Sequence, residues 1–329
     1  MTNARWQRWL VGLHLLLIAG WMAWFWGRSP ALALAGVAAV PLMFRLGMVP
    51  QFLLMAWASR GDPAPRPGPA QLLRAWWAES RWAGLVFGWW QPFRHQAVAD
   101  WLPAPPTGRR GVVLVHGFLC NRGFWTPWLP LLRARGHAFV AVTLEPAFGS
   151  IDAYAPAIDA AVRRVAEATG RVPVVVGHSM GGLAVRAWLR AVPDAAARVH
   201  RVVTLGTPHH GTWAAGGARS VNGRQMRLHG PWVQALRAQE PAEVAARCVC
   251  WYSNCDNVVY PPPPPCWRGR TTASSPARPM WRWPSGPRWC GTAWSCYWKN
   301  SCLRLTGKRW RPIWLQSPGA NSGSPRSCA

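Results

Sequence analysis

Val172-Pro173-Val174-Val175-Val176-Gly177-His178-Ser179-Met180-Gly181-Gly182 is the stretch on which the fold turns. Its valines show no polar alternation, the mark of a strand buried on both faces of a parallel sheet. The run ends at a serine flanked by glycines, then enters an apolar helical pattern over Gly181 to Ala191. Small residues on both sides allow the sharp, strained turn that lifts a serine hydroxyl above a sheet. Ser179 also opens the helix, where backbone N–H groups and the helix dipole favour developing negative charge. It is the candidate nucleophile.

Working outward, the strand signal recurs at Gly111 to His116, His137 to Glu145, Val199 to Leu205 and Arg247 to Asn257. Helical stretches at Trp125 to Arg135 and Ile151 to Ala168 fall between them. Alternation of this kind predicts an α/β fold built on a doubly wound, mostly parallel sheet. His116-Gly117-Phe118 follows the first strand, and Asp256 stands at the end of the last.

With these motifs in place, the chain resembles the α/β-hydrolase superfamily, in its bacterial lipase and esterase branch. The resemblance runs from about Arg110 to Tyr260 and takes in Cys120-Asn121-Arg122-Gly123 and Phe148-Gly149-Ser150-Ile151-Asp152. Thr207-Pro208-His209-His210-Gly211-Thr212 matches a Thr-Pro-His-x-Gly-Thr segment of such lipases. Ser179 is then the nucleophile, and the N–H groups of Phe118 and Met180 form the oxyanion hole. Family chain order puts the acid after the serine, at Asp256, with Asp152 the weaker alternative. His116 and Gly117 orient the oxyanion loop, His178 packs beside the nucleophile, and His209 and His210 lie near the mouth. Residues 213–246 form a lid-like insertion. The implied reaction is ester hydrolysis on lipid or other acyl-ester substrates, with no metal or organic cofactor. A thioesterase or acyltransferase on the same fold is the alternative, because pocket shape chooses the acyl acceptor.

Ahead of this domain, Trp9 to Gly27 is apolar, flanked by arginines, and about the ~20 residues a bilayer-spanning helix needs. Ala31 to Ala58 is long enough to return, but Pro41, Arg45, Pro50 and Gln51 inside it predict a broken, tilted or partial second crossing. Residues 1–60 therefore read as a membrane anchor of one or two transmembrane helices, with a secretory signal cleaved near Ala31-Leu32-Ala33 as the alternative. If both segments cross, positive charge at each end puts the N-terminus and the catalytic domain on the cytoplasmic side of a bacterial inner membrane. Residues 61–109 read as a Pro-rich linker and a Trp-rich juxtamembrane helix. Its tryptophans, Trp76, Trp77, Trp82, Trp89 and Trp90, fit either a headgroup-level face or a packed one.

After Asp256 the family's histidine must follow, and none does: the last of the nine His is His229. The text also changes at Pro261. From there to Ala329 no Asp or Glu occurs, yet the segment holds eight of the 26 Trp and five of the nine Cys. Such a composition is unlike ordinary disorder, which is poor in both. A lost reading frame explains it. Met and Trp have single codons, so reading from each third base turns Met280-Trp281 into a forced Val and Trp283-Pro284 into a forced Ala. With GC-rich codons, Arg270 to Pro284 re-reads as Asp-Asn-Arg-Leu-Val-Pro-Gly-Ala-Ala-His-Val-Ala-Leu-Ala, a strand followed by a His-bearing loop. Residues 110–260 are thus expected to be the hydrolase domain, and 261–329 an out-of-frame, disordered tail lacking the last strand and helix. A catalytically dead, membrane-bound remnant is the rival reading. The formal charge of +26 is spread along the chain without a nucleic-acid motif, so it argues for no nucleic-acid partner. No functional argument rests on the tail cysteines. The earlier ones, Cys120, Cys248, Cys250 and Cys255, fit reduced cytosolic thiols.

Overall fold

The computed structural model describes residues 2–61, 66–240, 247–261 and, as backbone, 272–275. Two long helices open the chain, α1 (Asn3–Trp26) and α2 (Pro30–Ala58). They are followed by α3 (Pro69–Leu85), a π-helical turn (Val86–Trp90) and a last short turn, α4 (Gln91–Phe93). The α/β part then runs β1 (Val112–Val115), α5 (Leu129–Ala134), β2 (Phe139–Val142), α6 (Ala155–Thr169), β3 (Val174–His178), α7 (Met180–Ala191) and β4 (Arg201–Leu205). The chain continues through α8 (Val221–Gln225), α9 (Pro231–Ala238), β5 (Cys248–Ser253) and β6 (Thr272–Ser275).

All six strands pair in parallel, in the order β2-β1-β3-β4-β5-β6. Register aligns Val140, Val113, Val175, Val202 and Cys248 across five strands. This row is buried against the apolar faces of α6 and α7, through residues such as Ile158, Val162, Leu183 and Trp188. Alternate strand residues, among them Leu114, Val176 and Leu205, are buried on the opposite face. Burial on both faces is why the strands read as continuous apolar runs. The chain leaves β1 toward β2 on one side and returns to β3 on the other, so the order reverses between β1 and β3. In open parallel sheets that reversal creates a crevice beyond the carboxyl ends of the two strands, where ligands bind.

Three sequence expectations change. The second apolar stretch is not broken: α2 runs as one 29-residue helix through Pro41 and Pro50. Each proline removes one N–H, but neighbouring helices can compensate. α3 packs on α2 at Arg45, whose carbonyl accepts from the Trp76 indole at 2.8 Å and whose guanidinium lies 4.7 Å over the Trp77 ring. Second, the tryptophans divide between the two faces weighed for them, Trp77 and Trp89 exposed, Trp76, Trp82 and Trp90 partly buried. Third, the last strand is not missing. β6 pairs with the edge of β5 from Cys250↔Thr272 to Ser253↔Ser275. A ladder is made by backbone groups, and an open edge is a template for any extended segment. The rest of the tail, and residues 241–246 of the insertion, lie outside the described residues, as does any last helix.

Candidate active site

Ser179 sits at the crevice, between β3 and α7, with φ 51° and ψ −127°. A left-handed, strained backbone at a non-glycine residue persists only where its surroundings hold it. Here the Ser179 N–H donates to Leu205 O at 2.8 Å and the Ser179 carbonyl accepts from Gly182 N at 3.0 Å. The loop after β1 lies directly beside it. A Cβ on Gly117 would fall 2.9 Å from Ser179 Cβ and 3.0 Å from His178 Nδ1, so only glycine allows this approach. Phe118 follows, its ring edge-on to Phe148 at 5.9 Å. The turn therefore brings Gly117, Phe118, Ser179 and Met180 to one place, with two stretches of backbone converging on the serine.

The histidines hold this frame. His116 is buried, its Nε2 accepting from Leu144 N at 2.9 Å, which leaves Nδ1 to donate to Gly117 O at 2.8 Å. Burial pushes its pKa down to about 4. His178 is buried and stacked on Phe124 at 4.2 Å, and burial lowers it to about 3. His209 has Arg186 donating both to its Nδ1 at 3.3 Å and to its carbonyl at 2.8 Å. Its Nε2 therefore carries the proton, 2.9 Å from Thr204 Oγ1. Arg186 in turn pairs with Glu240. Half-buried His210 is lowered to about 4, first by burial and then by the nearby cations of Arg237 and Arg186. A base so weak takes a proton from serine poorly.

Asp256 follows β5 in a loop whose Val258 carbonyl accepts from Thr212 Oγ1 at 2.7 Å. It is buried, and one oxygen, Oδ1, accepts from the N–H groups of Val258 at 3.0 Å and Val259 at 2.8 Å. Burial raises its pKa to about 6 against the pull of those donors. Asp152, the weaker acid candidate, is engaged elsewhere. It accepts from Arg190, from Trp232 Nε1 at 2.8 Å and from Gln225 Nε2 at 3.0 Å, tying α8 and α9 to α7. Among the described residues no group of three His, Cys, Asp or Glu is placed to hold a metal ion. Cys120, Cys248, Cys250 and Cys255 are buried and outside any disulfide among the described residues, and burial pushes the Cys120 pKa up to about 12.

Sequence reasoning missed one part of the surroundings, the polar residues Asn3 and Gln7 at the start of α1. Both are buried against the loop after β1. Their spacing, four apart on one helix, is the signal that marks a shared face.

A model of the alpha/beta hydrolase family matches residues 112–320, well over half of the chain. The chain belongs to the alpha/beta hydrolase family. The match begins at β1 and continues through the segment where the frame was expected to be lost. Among solved structures, this hydrolase is similar to Bacillus licheniformis lipase BlEst2 in mature form, at 20% identity and TM-score 0.41, over 47% of this chain and 70% of that one. It is similar to Aspergillus fumigatus lipase B at 20% identity and TM-score 0.44, over 50% of this chain but only 42% of the fungal one. A third, the Paleococcus ferrophilus monoacylglycerol lipase, is 16% identical with TM-score 0.35, over 51% of this chain and 87% of that one. Comparison with curated proteins finds no match.

Proposed function

We propose that this alpha/beta hydrolase is a membrane-anchored serine ester hydrolase acting on lipid or other acyl esters. The observation that carries the reading is Ser179, held at φ 51° where the strand order reverses, with the loop after β1 against it. In this mechanism Ser179 Oγ attacks the ester carbonyl carbon as a histidine takes its proton. The N–H groups of Phe118 and Met180 hold the oxyanion, and Asp256 fixes the imidazole's tautomer and stabilises its cation. Collapse expels the alcohol, which receives the proton from the imidazole. Water then attacks the acyl-enzyme by the same route, releasing the acid and freeing Ser179.

The histidine belongs, in this reading, to the text lost with the frame after Tyr260. Support comes from His116, His178 and His209, whose surroundings already commit them, and from Asp256, a buried carboxylate whose pKa of about 6 fits an acid without its cation. The chain as written then retains the nucleophile and lacks the base, and the remnant reading applies to it. The test is a gene restored to frame across the codons for Tyr260 to Pro284. Its product should hydrolyse p-nitrophenyl esters, and Ser179→Ala should abolish this. Full activity in that variant refutes the assignment.

Anchoring rests on α1 and α2, both long and apolar enough to cross a membrane. Leu13, Leu16, Leu17, Trp24, Leu42 and Met43 are exposed along them, far more apolar surface than a water-facing helix pair keeps. Both open ends of the hairpin reach the hydrolase part, Asn3 at Cys120 and Gln51 at Asn257. That arrangement suits a catalytic domain on the same, cytoplasmic, side as both arginine-flanked ends. The protein should stay with membranes through an alkaline carbonate wash, whereas a soluble product starting near Ala31 would show a cleaved signal.

A further inference from the structure

We infer that α1 is part of the active site as well as an anchor: Asn3 and Gln7 position the loop that carries the Phe118 oxyanion donor. The inference rests on the hydrolase reading above. Phe118 is followed by Leu119, a non-glycine residue at φ 56°, in the left-handed region an L side chain rarely adopts. What holds it there comes from α1. Gln7 Nε2 donates to Leu119 O at 2.8 Å, and Asn3 Nδ2 donates to Cys120 O at 2.7 Å. Asn121 closes the set, its Nδ2 donating to Gln7 Oε1 at 3.2 Å and to Gln91 O at 3.0 Å, and its N–H to Gln91 Oε1 at 2.7 Å. Three successive residues after Phe118 are thus bonded to side chains from α1 or the start of α4.

Asn3, Gln7, Gln91 and Asn121 are each at most 5% exposed. Buried amides cost stability unless they are bonded, and bonded ones fix the geometry of the groups they join. The start of α1 is itself pinned, since the Asn3 N–H donates to Glu145 Oε1 at 3.1 Å. A carboxylate there complements the helix dipole. Asn3 and Gln7 are positioning residues. They act through Leu119 and Cys120 on the neighbouring Phe118 N–H, and a displacement of about 1 Å in such a donor can lower a rate roughly 100-fold.

Gln7→Glu separates positioning from packing, because a carboxylate of the same shape cannot donate to Leu119 O. In the chain as it exists, in detergent micelles at pH 8.5, Gln7→Glu and Gln7→Leu should both speed amide hydrogen exchange of Leu119 to Arg122 by roughly tenfold or more. Exchange in Val112–Val115 and Val174–His178 should stay unchanged, which shows that the variants fold. In the frame-restored enzyme both variants should lose kcat by roughly 10- to 100-fold with KM within a few-fold. Leu13→Ala, exposed on the same helix, should change neither. Exchange needs no turnover, so a protected loop in Gln7→Glu overturns the inference whatever the enzyme assay gives. Faster exchange with unchanged kcat overturns it too. A frame-restored protein inactive before any α1 change instead refutes the hydrolase reading and leaves the loop result standing.

Discussion

The carboxyl end of the sheet has two halves that differ in kind. Around β1 and β3 the candidate chemistry is written in backbone: a strained serine, a glycine pressed against it, and two N–H groups. Around β5 and β6 it depends on side chains, a buried aspartate and a histidine that the chain does not contain. Backbone geometry is specified many times over by strands, glycines and helix starts within a few residues. A general base is specified by one side chain on one late loop, so in the proposed reading a single loss of frame would remove it and leave the first half intact.

Restoring the frame should have the largest effect on this contrast. Loss of a triad member typically costs several powers of ten, leaving residual catalysis from the oxyanion hole and binding. Ester turnover of the restored enzyme should therefore exceed that of the chain as written by roughly 10⁴-fold. Ser179→Ala in the restored enzyme should fall to the same floor. Equal turnover in the two chains would abolish the distinction between the halves and require a base among the existing histidines. The gap in melting midpoint should be modest, because β6 already covers the edge of β5.

Next in size is a change to the backbone-coded half alone. A Cβ on Gly181 would meet His116 O at 2.4 Å and Val115 O at 2.5 Å, both backbone atoms that cannot swing aside. Gly181→Ala should cost about 3 kcal/mol, the upper end of ordinary overpacking, read as a lower midpoint in denaturant. A neutral result would mean that β1 and α7 are not in the close contact on which the oxyanion geometry depends.

What was legible in the sequence follows the same division. The strand signals for β1 to β5 overlap the observed strands, and the turn at Ser179 stands where strand and helix patterns met, because burial on both faces leaves an unambiguous run. The loop proposed to carry the oxyanion donor was visible only by family resemblance. Its support from Asn3 and Gln7 was hidden, since two amides in an apolar helix look like tolerated impurities until their partners are known. β6 was invisible because Thr272-Ala273-Ser274-Ser275 is small and polar, without the apolar run that marked strands such as β1 and β3. Pro41 and Pro50 pointed to a break, yet α2 runs through both.

The smallest expected effect isolates the half that lacks its partner. Asp256 has a pKa raised from 3.8 to about 6 because its charge is buried. An acid whose folded pKa lies above its unfolded value adds stability that is full below the unfolded pKa and lost as pH rises through the folded one. The chain as written should therefore lose about 2 kcal/mol from this group between roughly pH 4.5 and 6.5. Asp256→Asn, which cannot ionise, should remove that slope, so its midpoint in denaturant should overtake the parent's as pH rises. In the frame-restored protein an imidazole facing Asp256 would stabilise the carboxylate and draw its pKa back toward the usual range. There the parental slope should flatten or reverse, and Asp256→Asn should destabilise at neutral pH. If the parent shows the same slope in both chains, the restored histidine does not reach Asp256, and the acid of this site has to be sought elsewhere.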